Sequence, residues 1–523
     1  MLALLVRCLR DERAELYVGI GTNKFGGVMF MSAAHHQYPT FLTAPSVVAD
    51  HKLLFSSMTS SSGENTMPPP TDINDEPQVK ESVIRLMTRL AIQYNAVNLS
   101  QGFPNEPPPW KVKLALAQAV LSGKDEGLKT EQELTESLIN LLTTSSDIVT
   151  DELNQYSPPM GRADTRKAVS DYYSRLYNYK VSEDYITLTL GATEAVATAL
   201  RTVGRPGDKV VIFEPFHELY SSQCEIFYLN PVYVTLRPNK EKNEWDYETD
   251  ELKDAMKGAK AIILNTPHNP TGKCFEYSDL KQIVDLCLQE EDCYIITDEI
   301  YEHMTYPDDK GTPRKHLLIP EAFPEAARRT LVCNSLGKSA SATGKSSSLS
   351  PFHLLFPFLS DSSISSGWRL GWCLHPPALS SLYRGVHDQL VAMSPHPMQY
   401  ASLAYLNLPT EYFRVTLPSR YINRIQKLAD ALKSIGFGVI LPEGSYYLFV
   451  EFLGVEELKG LSPTDAAMYL LKEVGVASVP GDNFFGIKSG EGMNYLRFAA
   501  CRSDTDINNA IVRLKEKLHP VMM

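Results

Sequence analysis

Ala261-Ile262-Ile263-Leu264-Asn265-Thr266-Pro267-His268-Asn269-Pro270-Thr271-Gly272-Lys273 joins an unbroken apolar run to a turn, and its reading decides the fold. An apolar run with β-branched residues suits a strand buried on both faces. The Asn-Pro-Thr-Gly that follows reads, alone, as a turn. Pro270 fixes φ, Gly272 permits a left-handed conformation, and Asn269 can bond its own backbone. Outward from this point, similar short runs recur at Ile186 to Leu190, Lys209 to Phe213, Pro231 to Leu236, Tyr294 to Thr297 and Thr330 to Cys333, with helical patterns between them. This alternation predicts βαβ units around a buried, mostly parallel sheet, so the large domain is α/β. After Gln399 a long helical stretch, then Tyr447 to Phe452, a helix over Pro463 to Glu473, and strands at Val476 to Val479 and Tyr495 to Ala499 predict a smaller α+β domain.

Three successive strands of the large domain end in reactive residues. The first leads to Asn269. The second ends in Asp298-Glu299-Ile300-Tyr301, and the third runs into Asn334-Ser335-Leu336-Gly337-Lys338. The carboxyl ends of parallel strands are where such sheets bind ligands, so these side chains share one edge. Each has a role in pyridoxal phosphate chemistry. The Lys338 amine can form a Schiff base and, once released, move a proton. Asp298 can keep the pyridine nitrogen protonated, so that the ring draws electrons from a Cα carbanion. Asn269 and Tyr301 suit the phenolic oxygen.

With these residues in view, the chain resembles the fold-type I, class I/II aminotransferases, in the kynurenine aminotransferase, glutamine transaminase K and methionine aminotransferase branch. The resemblance runs from about Val79 to the C-terminus. It implies pyridoxal 5'-phosphate as cofactor and ping-pong transamination between an L-amino acid and a 2-oxo acid. Within Val97-Asn98-Leu99-Ser100-Gln101-Gly102-Phe103-Pro104 it places the Gly102 backbone against the substrate carboxylate. In Leu153-Asn154-Gln155-Tyr156 it implies that Tyr156 reaches the partner subunit's site, and hence a homodimer. Ala192 and Thr193 in Gly191-Ala192-Thr193-Glu194, together with Ser335, match the cofactor-phosphate positions. The Gly191 turn also opens a helix whose first amides suit an anion. Asn269 counts toward both cofactor and substrate. Arg497, in Tyr495-Leu496-Arg497-Phe498, matches the arginine that binds the substrate carboxylate, and its planar fork suits both oxygens.

In Glu214-Pro215-Phe216-His217 the resemblance puts His217 at the position that stacks on the cofactor ring. A histidine there is expected to titrate near neutral pH and tune the ring. The competing reading is a loop histidine, with Phe216 or Tyr220 packing instead. Pro442-Glu443-Gly444-Ser445-Tyr446-Tyr447 and Val479-Pro480-Gly481-Asp482-Asn483-Phe484 match segments of the small domain and are read as fold markers rather than catalytic groups.

One departure stands out. Relatives carry a basic phosphate clamp eight residues after the lysine, in a Thr-Gly-Trp-Arg-like stretch. Here Ser341-Ala342-Thr343-Gly344 and Trp368-Arg369-Leu370-Gly371-Trp372 are separated by Lys345 to Gly367. Removing that segment restores the spacing and makes Arg369 the clamp. A genuine insertion would have to bury Phe352, Leu354, Leu355 and Phe356 beside the cofactor. A retained in-frame intron accounts better for its Ser- and Phe/Leu-rich content, and peptide mass spectrometry on the native protein separates the two. Cysteine-S-conjugate β-elimination, or an inactive paralogue, are the competing functions.

Composition sets the remaining bounds. The chain has 523 residues with 43% hydrophobic content, enough for a large core and more than one folded region. A net charge of -12 without a basic block argues against nucleic acid. No apolar run approaches the ~20 residues that span a bilayer, so no membrane partner is expected. The eight cysteines show no CxxC pair or metal spacing, which suits a reducing compartment and no metal. The expected organisation is a leader over 1–76, an N-terminal part of the small domain over 77–155 with a surface excursion at 126–151, a large domain over 156–399 interrupted at 345–367, and the rest of the small domain over 400–523. Within the leader, Leu16 to Ala49 has no acidic residue but lacks the arginines of a mitochondrial presequence, so the cytoplasm is expected, with a mitochondrion or plastid as the alternative.

Overall fold

The computed structural model describes residues 83–100, 111–112, 116, 153, 155–239, 241–308, 310–339, 368–486 and 489–521. The leader, Gly102, the excursion at 126–151 and the segment 345–367 lie outside the described residues.

In chain order the strands are β1 Val97–Asn98, β2 Ile186–Thr189, β3 Lys209–Glu214, β4 Asn230–Asn239, β5 Glu244–Tyr247, β6 Ala261–Asn265, β7 Tyr294–Asp298, β8 Thr330–Ser335, β9 Gly371–Leu374, β10 Gly438–Val439, β11 Tyr447–Glu451, β12 Val476–Ala477, β13 Val479–Pro480 and β14 Tyr495–Ala499. Eight form one sheet, in the order β2-β9-β8-β7-β6-β3-β4-β5. Its centre, from β8 to β4, is parallel. β9 runs antiparallel between β2 and β8, and β5 closes the far edge as an antiparallel hairpin with β4. The mostly parallel α/β architecture is therefore as the sequence predicts. The two antiparallel strands were not read from it.

Side chains alternate across this sheet as strand geometry requires. Val210, Ile212, Ala261, Ile263 and Ile296 join one core, whereas Val211, Phe213, Ile262, Leu264 and Ile295 join another. Helix α1, Val83–Gln93, and helix α2, Ala163–Tyr177, precede the sheet. Helix α3, Ala192–Val203, covers the first core with Ala195, Val196, Ala199 and Leu200, at spacings of three and four residues. Helix α4, Tyr277–Gln289, covers the second with Leu280, Ile283, Val284 and Cys287. A sheet covered on both faces offers ligands only its edges, and the carboxyl edge carries the reactive residues.

The smaller sheet, in the order β10-β11-β14-β13, is antiparallel and packs with Leu417–Ser434 and α1 in a third core. Val476 to Val479, read as one strand, is two. The chain changes partners at Ser478, with β12 pairing parallel to β1 and β13 pairing with β14. The helix expected over Pro463 to Glu473 is α-helical to Tyr469 and ends in a π turn over Leu470–Val474. Among the described residues, no helix is long and apolar enough to cross a membrane.

Candidate active site

The carboxyl edge of the large sheet can be followed strand by strand. Asn265, Asp298 and Cys333 stand level on β6, β7 and β8, since Asn265 pairs with Asp298 and Asp298 with Cys333. Ser335 ends β8 opposite Gly371, the first residue of the antiparallel β9, so Arg369 enters from the same edge. β2 delivers Gly191 and α3 there as well, and β3 delivers His217. Residues far apart in sequence thus meet along one line.

Asp298 is 2% exposed. Its Oδ2 accepts a hydrogen bond from the Tyr220 hydroxyl at 2.6 Å, while Oδ1 is buried with no partner among the described residues. Burial pushes its carboxyl up to about 6, against the pull of the Tyr220 bond. A buried carboxylate oxygen left unbonded is costly, and a protonated ring nitrogen would satisfy it. Tyr220, a packing candidate by sequence, is thus a contributor to the site.

Lys338 is partly accessible through the cleft, yet protein surrounds it closely enough to hold its amine down at about 8. Burial is the main cause. The charges of Arg497 and Arg369 push the same way, while Cys501 and Asp298 oppose them, so all four lie near the amine.

A candidate phosphate cradle lies two strands away. Gly191 caps α3 at φ 77 with no side-chain cap, which leaves the amides of the first turn, including those of Ala192 and Thr193, directed outward. Arg369 crosses it. Its Nη2 donates to the Leu190 carbonyl at 3.0 Å, and a Cβ on Gly191 would stand 3.2 Å from the guanidinium. Gly371, beside Ser335, abuts Gly191 so tightly that a Cβ there would come within 2.7 Å of the Gly191 backbone. Arg369 thus reaches the cradle expected of it, and does so with φ at 51, a conformation side chains rarely adopt. These groups fit a phosphate-bearing pyridine, with the cradle for the phosphate and the unpartnered Asp298 oxygen for the ring.

The substrate side is built by two nested loops. Asn265 straps the first to the sheet, its Nδ2 donating to the Asp298 carbonyl at 2.8 Å and its Oδ1 accepting from the Asn269 amide at 2.8 Å. Asn269 is thereby aimed at Arg497, whose Nη1 donates to Asn269 Oδ1 at 2.9 Å. Arg497 is 1% exposed and its Nη2 donates to the Ser100 carbonyl at 2.7 Å, so the backbone leading to Gly102 reaches this arginine. No carboxylate pairs with it among the described residues. The guanidinium is held between the rings of Tyr447, 4.4 Å away, and Phe484, 4.8 Å away. Tyr447 also meets the Tyr301 hydroxyl at 2.9 Å. The two segments read as fold markers therefore supply site contacts, a correction.

Gly272 and Gly444 make the nesting feasible. Gly272 has φ 76, a Cβ on it would meet Pro442 at 2.2 Å, and its carbonyl accepts from the Gly444 amide at 2.8 Å. Gly272→Ala is expected to cost roughly 3 kcal/mol, from left-handed strain together with the clash. Urea unfolding checks this, and an unchanged midpoint would show that the loops do not depend on this contact.

His217 requires a second correction. Phe216 is accounted for in the core, stacked on Tyr233 at 5.2 Å, and Tyr220 by its bond to Asp298, which leaves His217 beside Lys338 and Arg497. Burial and those two cations push its pKa down to about 3, so it stays neutral and does not titrate near neutral pH. Its Nδ1 is buried without a partner among the described residues. Tyr156, by contrast, is 84% exposed, beside a cavity of about 450 Å³ lined by Gln155, Arg162 and His396.

Comparison with known proteins gives the family. The family described as aminotransferase class I and II matches residues 116–345 and 360–514, and the break falls within Lys345 to Gly367. The chain is 31% identical over 386 residues to the probable kynurenine–oxoglutarate transaminase of Saccharomyces cerevisiae, covering 69% of this chain and 80% of that one. It is 27% identical to the methionine aminotransferase of Escherichia coli, over 77% of this chain and 88% of its relative. Among solved structures, the N-succinyldiaminopimelate aminotransferase from Mycobacterium tuberculosis superposes with a TM-score of 0.68 at 27% identity, covering 83% of this chain and 97% of that one.

Proposed function

From the premise that this chain belongs to the class I and II aminotransferases and is a pyridoxal-phosphate-dependent enzyme, we propose that it moves an amino group from a kynurenine-, glutamine- or methionine-type donor to a 2-oxo acid. The first product leaves before the second substrate enters. The observation that carries this reading is the convergence of Lys338, the half-satisfied Asp298 and the Arg497–Asn269 pair on one sheet edge.

The cofactor, when bound, supplies an electron sink for the carbanion left when a Cα proton departs. The protein's residues do the rest. Asp298, oriented by Tyr220, holds the proton on the ring nitrogen. Ala192, Thr193, Ser335 and Arg369 hold the phosphate, and Asn269 and Tyr301 serve the phenolic oxygen. His217, as a neutral ring, stacks. Lys338 anchors the cofactor covalently and then takes and returns the Cα proton, a task for which an amine near 8 is well matched at neutral pH. Arg497 and the Gly102 backbone hold the substrate carboxylate, which aligns the Cα–H bond.

Arg497→Lys is expected to raise KM for the amino donor roughly a hundredfold, because a point charge cannot reproduce the bidentate fork. Steady-state kinetics test it, and an unchanged KM would remove Arg497 from the substrate site. Donor preference is tested with a panel of amino acids against 2-oxoglutarate and pyruvate, and the reading fails if no kynurenine-, glutamine- or methionine-type donor is used. The exposed Tyr156 beside its cavity supports a homodimer in which that ring enters the partner subunit's site. The seven described cysteines, all free thiols, support a reducing compartment, the cytoplasm first.

A further inference from the structure

On the other side of the Asp298–Tyr301 turn lies a buried polar cluster that the chemistry above leaves unused. Glu302 is 5% exposed, and three neutral groups donate to its carboxylate. Oε1 accepts from the Tyr172 hydroxyl at 2.6 Å and from Asn334 Nδ2 at 2.7 Å, and Oε2 from the Tyr177 hydroxyl at 2.5 Å. His303 touches the Tyr172 hydroxyl and lies 3.4 Å from Glu302 Oε1, and Tyr173, Tyr405, Arg414 and the pair Glu299 and His316 are further titratable or charged groups around the cluster. Burying a carboxylate among neutral donors is expensive, and apolar side chains would fill such a space at lower cost. Its hydrogen bonds, however, join three segments beyond the reach of the β7–β8 backbone ladder, which ends at the Asp298–Cys333 pair and the bond from the Glu299 amide to the Cys333 carbonyl.

Those segments are α2, through Tyr172 and Tyr177; the turn that carries Asp298 and Tyr301; and the end of β8. Asn334 is the link to the last. Its Nδ2 donates to Glu302 and also to the Tyr173 hydroxyl at 3.2 Å, while its Oδ1 accepts from the Ser335 amide at 2.7 Å. Beside the β7–β8 ladder, a second route from Tyr301 to Lys338 therefore runs through one side-chain hydrogen bond and one backbone amide. Neither Glu302 nor Asn334 is among the groups placed against cofactor or substrate.

We propose that Glu302 and Asn334 are positioning residues, whose hydrogen bond fixes the Ser335–Lys338 turn against the Asp298–Tyr301 turn so that amine and carboxylate address the same bound group. This rests on the reading of Lys338 and Asp298 given above.

The test uses protein freed of cofactor. Acylation of Lys338 by acetic anhydride, followed across pH by peptide mass spectrometry, reports the amine's surroundings, and its midpoint in the unmodified chain is expected near 8. Glu302→Leu and Asn334→Leu are each expected to move that midpoint upward by about half a pH unit or more, as the turn loosens and water enters. In the loaded enzyme they lower kcat between about ten- and a hundredfold, with KM changed less than about threefold. Glu302→Gln, which keeps the shape and an acceptor for Asn334, restores most of both. Tyr177→Phe loosens only the helix side and is expected to lower stability while leaving the midpoint and kcat in place. A folded Glu302→Leu protein with midpoint and kcat unchanged overturns the proposal, as does a Tyr177→Phe protein that matches it in both. Should the leucine variants not fold, Asn334→Asp sets a second carboxylate against Glu302. Recovery of midpoint and kcat on adding Glu302→Gln supports the pair, and no recovery overturns it. If Lys338→Ala retained transamination, the reading of the lysine would fall instead, so the two failures are distinct.

Discussion

Lys338→Ala is expected to lower kcat roughly 10⁴-fold while the protein folds and still binds cofactor phosphate. In the proposed reaction the amine has two tasks, covalent anchoring and proton transfer, and general acid–base work alone contributes up to about 10⁴. Loss of folding is not expected, because the side chain is only half-buried and sits in the short helical turn after β8 rather than in a core. The phosphate cradle of Gly191 to Thr193 and Arg369 stands on other strands and stays intact. Single-turnover measurement with an amino donor checks this. A variant within about tenfold of the parent would mean that another group moves the proton.

Asp298→Asn has the second largest expected effect, a loss of roughly 10³-fold in kcat. It keeps the Tyr220 hydrogen bond but cannot hold a proton on the ring nitrogen, so charge stabilisation at the carbanion is lost. The same substitution has a signature in the protein without cofactor. The folded pKa of Asp298, about 6, lies above the ordinary 3.8, so the folded state holds that proton more tightly than the unfolded chain. Its stabilising contribution is complete below the ordinary value and is lost as pH rises through about 6. Asp298→Asn should remove that part of the pH dependence of unfolding. An Asn variant with parental kcat would place the ring nitrogen elsewhere.

Much of this site could be read from the sequence, for a physical reason. The central strands are buried on both faces, so each appears as an apolar run, and in a parallel sheet every such run ends at the same edge. Asn269, Asp298 and Lys338 stand there as that rule requires. β9 was missed because its Gly-Trp-Cys-Leu is short and follows the interrupted segment, and nothing local signals an antiparallel strand. The role of Tyr220 is not legible locally, because it rests on a hydrogen bond to Asp298, 78 residues away, that only the fold brings about. Tyr447 and Phe484 were set aside as fold markers because their contact with Arg497 forms only when β11, β14 and the loop after β13 come together. The neutrality of His217 is hidden for a similar reason, since the two cations beside it come from the helical turn after β8 and from β14.

Arg369 bears most closely on whether this chain can work. A family match broken within Lys345 to Gly367 resumes in time to include Arg369, and the guanidinium lies across the α3 N-terminus. The interrupted sequence thus still brings its basic residue to the cradle, whatever the origin of the segment between.

The central claim is that Lys338 carries the cofactor. Borohydride reduction of the protein in the presence of pyridoxal phosphate, followed by peptide mass spectrometry, tests it directly. The expected result is a single phosphopyridoxyl group on the Lys338 Nζ, absent from Lys338→Ala. A label on a different lysine, or none with cofactor bound, would contradict it.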